Sequence, residues 1–102
     1  MDAKREVEIM ERAIETYGVQ AQVDVAIEEM SELTKALLKL RRAVGNLSEI
    51  EESNVHNQLL DDIREEMADV SIMLSQLELI YGDVTDIEIE KLERLERRMN
   101  GE

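Results

Sequence analysis

Two stretches of this sequence carry residues that could do chemistry with oxygen ligands. Glu28-Glu29-Met30-Ser31-Glu32-Leu33 and Glu65-Glu66-Met67-Ala68-Asp69-Val70 repeat one pattern at an offset of 37 residues. Residues three apart share a helix face, which puts Glu29 beside Glu32 and Glu66 beside Asp69. At ~100° per residue these carboxylates fall next to the apolar stripe of their helices rather than opposite it. Val25 and Ala36 flank the first pair and Met73 the second. Glu28 and Glu65 point almost the other way, into water. Carboxylates brought together at the edge of a core repel one another, so either their pKa values rise or a cation neutralises them. Magnesium suits such a set, being a hard ion that takes oxygen ligands and keeps several waters. Glu29, Glu32, Glu66 and Asp69 could hold one or two Mg²⁺ ions. A di-iron site is disfavoured, because it needs Glu-x-x-His pairs. The single histidine, His56, is expected in a polar connector with no Glu at that spacing.

The elements that must position these groups read as helices. A first runs from about Asp2 to Tyr17, with Val7, Met10, Ile14 and Tyr17 on its apolar side, and Gly18 interrupts it. A second runs from about Gln20 to Val44. Its inner stripe, Val23, Ala26, Met30, Leu33, Leu37, Leu40 and Val44, advances by threes and fours, which marks one helical face. Gly45-Asn46 is a stop signal. Leu47 to Asn57 reads as a connector in which Ser48 and Glu51 could cap a short turn. A third helix is expected from about Gln58 to Tyr81, with Leu60, Ile63, Met67, Val70, Leu74, Leu77 and Tyr81 inward. Gly82-Asp83 ends it. Thr85 with Glu88 reads as a capping box for a fourth helix, which turns Leu92, Leu95 and Met99 inward and stops at Asn100-Gly101. The two long stripes coincide at the same 37-residue offset as the acidic pattern. Two such helices could pack antiparallel and bring the acidic patches together.

Composition agrees with an all-α bundle of about four helices, residues 1–102 forming one domain with two long antiparallel core helices. The chain has 102 residues, no proline, no Phe and no Trp, and only Tyr17 and Tyr81 are aromatic. Good helix formers dominate. The core must be built from Leu, Ile, Val and Met. A net charge of −13 repels nucleic acid and anionic membranes and attracts cations. A polyanionic substrate would need metal ions or local Lys and Arg to offset that field. The absence of cysteine rules out disulfides and thiolate metal sites. No apolar run is long enough to span a membrane, and the polar start, Met1-Asp2-Ala3-Lys4-Arg5-Glu6, is unlike a signal peptide. The expected location is the cytoplasm.

Glu28-Glu29-x-x-Glu32 on one helix and Glu66-x-x-Asp69 on the next resemble the double acidic motif of the MazG-like all-α nucleoside triphosphate pyrophosphohydrolases, especially their small phage- and Firmicute-type members. Gln22 ahead of the first motif, Leu33, Ala36 and Leu37 after it, Val70 after the second, and the basic stretch Lys91-Leu92-Glu93-Arg94-Leu95-Glu96-Arg97-Arg98 extend the resemblance over about Gly18 to Met99. The resemblance implies a helical bundle working as a homodimer or homotetramer. It implies Mg²⁺-dependent hydrolysis of a nucleoside triphosphate to the monophosphate and pyrophosphate. It makes Glu29, Glu32, Glu66 and Asp69 the metal ligands and catalytic groups, with Glu28 matching the motif's leading Glu in a supporting position. A chain with no Phe or Trp must meet a base with Tyr or aliphatic side chains instead.

In such a reaction a water activated by the metal attacks the α-phosphorus and pyrophosphate leaves. Lys39, seven residues after Glu32 and on nearly its face, is a candidate phosphate contact, as are Arg94 and Arg98. Gln22 is a candidate contact to base or sugar. Each also has a plain explanation as a surface cation or a helix-start Gln, and Arg97 and Arg98 suit a helix C-terminus. Two other functions fit the same residues: a non-enzymatic acidic helical dimerisation or interaction module, and an acidic mimic of nucleic acid. The second apolar edges, Ile27 and Leu38 on one long helix and Ile72 and Leu79 on the other, lead us to expect self-association.

Overall fold

The computed structural model describes residues 1–48 and 53–102. The expected Ser48–Glu51 capping turn involves a residue outside these. Ser48 itself donates from its backbone N–H and its hydroxyl to Asn46 Oδ1, at 3.0 and 2.7 Å. Four helices follow in order: α1 (Ala3–Tyr17), α2 (Val19–Ala43), α3 (Asn54–Tyr81) and α4 (Thr85–Met99). Among the described residues no helix is long and apolar enough to cross a membrane.

Helix ends follow local chemistry. Asp2 caps α1 by accepting the Arg5 N–H at 2.8 Å. Gly18 alone links α1 to α2, with φ of 91°; that left-handed backbone favours glycine. Gly82 ends α3 in the same way, with φ of 119°.

One expected boundary moves and one expected cap is replaced. α3 begins at Asn54 rather than near Gln58, because Ser53 caps it, accepting the His56 N–H at 3.1 Å. His56 thus sits in the first turn of α3, not in a connector. The expected Thr85–Glu88 capping box is replaced by Asp83, whose Oδ1 accepts the Thr85 N–H at 2.9 Å and the Thr85 hydroxyl at 2.6 Å. The Thr85 hydroxyl and then its N–H hold the Asp83 carboxyl below its ordinary pKa.

α2 and α3 form the dominant contact and run antiparallel. Gln22 meets Gln76, and two turns further Glu29 meets Asp69, so positions that rise along α2 fall along α3. At one end Leu40, Val44, Leu59 and Ile63 form a buried cluster, with Leu33, Ala36 and Leu60 packed against it. Toward the other end Ala26, Val70 and Met73 are buried, and the Gln22–Gln76 hydrogen bond of 2.7 Å lies inside the core. α1 leans on both long helices.

The stripes are only half used. Met30, Leu37, Met67, Leu74 and Tyr81 were expected inward and are exposed. Leu92, Leu95 and Met99 of α4 are exposed as well, because α4 packs against none of the other three helices. The reason is geometric. A two-helix contact covers a narrow seam, whereas these stripes are broad enough to need neighbours on two sides. α1 covers part of one side, and among the described residues no helix packs on the other.

Two stability measurements check this assignment. Ile63→Ala, at a position 7% exposed, should cost about 2–5 kcal/mol in urea unfolding. Asp83→Ala should cost about 0.5–1.5 kcal/mol through loss of its hydrogen bonds from Thr85; a cost confined to Glu88 variants would restore the capping-box reading.

Candidate metal centre

The antiparallel register decides which carboxylates meet. One ligand atom each from Glu29, Glu66 and Asp69 lies within 4.8 Å of the others. Glu29 comes from the middle of α2 and the other two from consecutive turns of α3. Glu29 and Glu66 are half-buried and Asp69 is exposed. The site therefore opens outward past Asp69, with its floor formed where the two helices touch.

The electrostatics of the trio are unrelieved. The Glu29 carboxyl is held above its ordinary pKa, first by partial withdrawal from water, then by the charges of Asp69 and Glu66, a hydrogen bond shared with Glu66, and the charge of Glu28. Glu66 Oε2 is buried without a hydrogen-bond partner among the described residues. Ion pairs among those residues join Arg5 to Glu8, Lys35 to Glu32 and Arg64 to Asp61, and none reaches Glu29, Glu66 or Asp69. A buried acceptor left without a donor is costly, and three carboxylates at this spacing repel. Oxygen ligands without a neighbouring cation are what a hard divalent ion would take.

The other candidates separate by position. Glu32 is half-buried one turn beyond Glu29, outside the trio, and its Oε1 accepts from Lys35 Nζ at 3.2 Å. Glu28 and Lys39 are exposed on α2. Gln22 is buried, and its side-chain amide is engaged by Gln76; it lies in the core two turns from Glu29. Arg94 and Arg98 lie on α4, which approaches none of the other helices of its own chain.

Two neighbours of the site were not singled out from sequence. Gln76 falls seven residues after Asp69 and so on the same face; its amide donates to Met73 Sδ at 3.7 Å and accepts from Gln22. Asp62, one turn before Glu66, is half-buried and accepts from Gln58 Nε2 at 2.8 Å. Both positions carried a signal, since steps of four and seven from the acidic motif mark its face. A polar residue on such a face becomes informative only once the opposing helix is placed.

No family model matches the chain, and no curated protein or solved structure matches it significantly. What stands is a small all-α protein of four helices with an acidic trio between the two longest.

The trio has a measurable pH signature. The folded protein holds the Glu29 proton more tightly than the unfolded chain does, so ionising Glu29 opposes folding. The stability linked to its protonation is fully present below the ordinary value of 4.5 and is lost as pH rises through the raised value. Glu29→Gln should therefore raise the Tm at neutral pH, and the gain should shrink below pH 4.5. Thermal melts of both proteins across that range check it; an equal or lower Tm for the variant at neutral pH would contradict the crowding of charge.

Proposed function

We propose that this protein is a magnesium-dependent nucleoside triphosphate pyrophosphohydrolase of the MazG-like kind, releasing pyrophosphate and leaving the monophosphate. The observation that carries the reading is the convergence of Glu29, Glu66 and Asp69 within 4.8 Å from two helices, with a buried Glu66 oxygen unpartnered among the described residues. Solvated faces and helical salt bridges explain most acidic residues of this chain, but they do not account for that trio.

Glu29, Glu66 and Asp69 would hold Mg²⁺, with Glu32 one turn away as a further carboxylate that must leave Lys35 to join them. When bound, the ion neutralises triphosphate charge and makes a water acidic enough to attack at neutral pH. The remaining work falls to the chain itself. The trio's own repulsion keeps the site poised for a cation, and a carboxylate not fully engaged orients the attacking water or takes its proton. Lys39, exposed on α2, would be the candidate phosphate contact on that helix. Glu28 lies outside the trio and acts through the charge it adds to Glu29. The net charge of −13 makes the cation a requirement for nucleotide binding, since a triphosphate would otherwise be repelled.

A second reading, a helical interaction module without catalysis, is favoured by the apolar residues that α2, α3 and α4 leave exposed. The two readings differ in one assay. Pyrophosphate release from a panel of ribo- and deoxyribonucleoside triphosphates should require Mg²⁺ and be abolished by EDTA. Glu66→Ala should lower turnover by at least about 10–100-fold, the loss typical of a group that only supports a metal ligand. A folded protein with no turnover on any nucleotide would leave the interaction module. In the same experiment Mg²⁺ should raise the Tm of the wild type by mass action and leave that of Glu66→Ala unchanged.

A further inference from the structure

Among the described residues the buried polar side chains are Gln22 and Gln76, one from each long helix, at 6% and 4% exposure. Gln22 Nε2 donates to Gln76 Oε1 at 2.7 Å, and Gln76 Nε2 donates in turn to Met73 Sδ at 3.7 Å. Both ends of the Gln76 amide are thus engaged. An apolar pair of the same shape would hold two helices together about as well as a buried amide pair. What such a pair adds is a choice of alignment, because a donor must find its acceptor.

The apolar stripes leave that choice open. Their inner rows, Ala26, Leu33 and Leu40 on α2 and Ile63, Val70 and Leu77 on α3, both recur every seven residues. A slide of one helix by seven residues, about 10 Å, brings like rows back into phase. The polar groups are not repeated in this way. Gln22 meets Gln76; seven residues on along α2 and seven back along α3, Glu29 meets Asp69. Slid one way, Gln22 would face Asp69, and Gln76 would pass the start of α2 at Val19. Slid the other way, Gln76 would face Glu29, and Gln22 would pass the end of α3 at Tyr81. Either slide parts Asp69 from Glu29 and breaks the carboxylate trio.

We propose that Gln22 and Gln76 are positioning residues, whose hydrogen bond selects the one α2–α3 register in which Glu29, Glu66 and Asp69 converge. Gln22, considered from sequence as a contact to base or sugar, acts instead through the seam, two turns from the carboxylates. The choice of register stands on the two helices alone. Its consequence for turnover rests on the pyrophosphohydrolase reading.

The test replaces both amides with their unbranched apolar counterpart, in Gln22→Met with Gln76→Met, and measures the register directly. The chain has no cysteine, so nitroxide labels can be placed at Arg41→Cys on α2 and Glu78→Cys on α3, both exposed and roughly 30 Å apart along the seam. Labelled chain is refolded with a large excess of unlabelled chain, so that each measured pair lies within one molecule. Pulsed electron paramagnetic resonance should give one narrow distance in the Gln22–Gln76 protein. The double-Met protein should keep its helical circular dichroism and its Tm, yet gain a second population displaced by about 10 Å. An unshifted single distance in the double-Met protein overturns the proposal, whether or not its Tm falls, since the pair would then be an ordinary stabilising contact. Several distances in the protein with both amides overturn it too. Should the double-Met protein lose its helicity, Gln22→Asn shortens one amide and is read by the same distance, with the same two outcomes. Where the parent protein releases pyrophosphate, kcat of the double-Met protein should fall about 100-fold with Tm kept, and an unchanged kcat overturns the positioning role. A parent protein that cleaves no nucleotide removes the reaction and leaves the distances to decide the register.

Discussion

Gln22 and Gln76 can share a hydrogen bond only if α2 and α3 hold one register, and the carboxylate trio depends on that same register. A slide of one helical turn would carry Asp69 past Glu29 and bury a charged or amide group against an apolar one. The core pair works against such a slide. The two buried amides lose each other if the helices shift, and an unpaired buried amide costs about 1–3 kcal/mol. At the far end the Leu40–Val44–Leu59–Ile63 cluster adds apolar burial in the same alignment. The seam is thus pinned by a polar lock at one end and a packed cluster at the other, and the acidic trio lies between them.

That placement shows how the fold holds three carboxylates together. Repulsion among Glu29, Glu66 and Asp69 is offset by the packing on either side, and it is one of the causes that hold the Glu29 carboxyl above its ordinary pKa. Asp69 remains exposed and keeps the site open to water. Glu32, further along α2, is already compensated by Lys35. The site is therefore graded, from a buried and unsatisfied Glu66 oxygen to an exposed Asp69.

The two sides of the α2–α3 seam have opposite characters. One carries charge that a cation would satisfy, and the other carries apolar side chains that only more protein would satisfy. Each helix has both because its apolar stripe is wider than a single helix contact, so residues at the stripe's edge, such as Met30 and Met67, fall outside the seam. α1 shelters part of the molecule, but its tight link through Gly18 keeps it close to the start of α2. α4, turned away at Gly82, packs along none of the other helices among the described residues.

By itself the sequence determined the helical class, the four elements and the face on which the acids stand. Spacing by threes and fours, the lack of proline and the glycine stops act locally, and each is readable within a turn or two of helix. It did not determine the start of α3 or the partner of Thr85 at the start of α4, because Ser53 and Asp83 compete with other polar residues nearby and only the backbone path decides between them. Nor could it say which half of a wide stripe is buried, since Met30 and Ala26 look equally apolar until a neighbour is placed. The tertiary structure decided that Gln22 belongs to the core, that Glu29 meets Asp69 while Glu32 turns to Lys35, and that α4 stands apart. Those outcomes are set by the register between segments some 40 residues apart, and periodicity within one helix carries no information about its register against another.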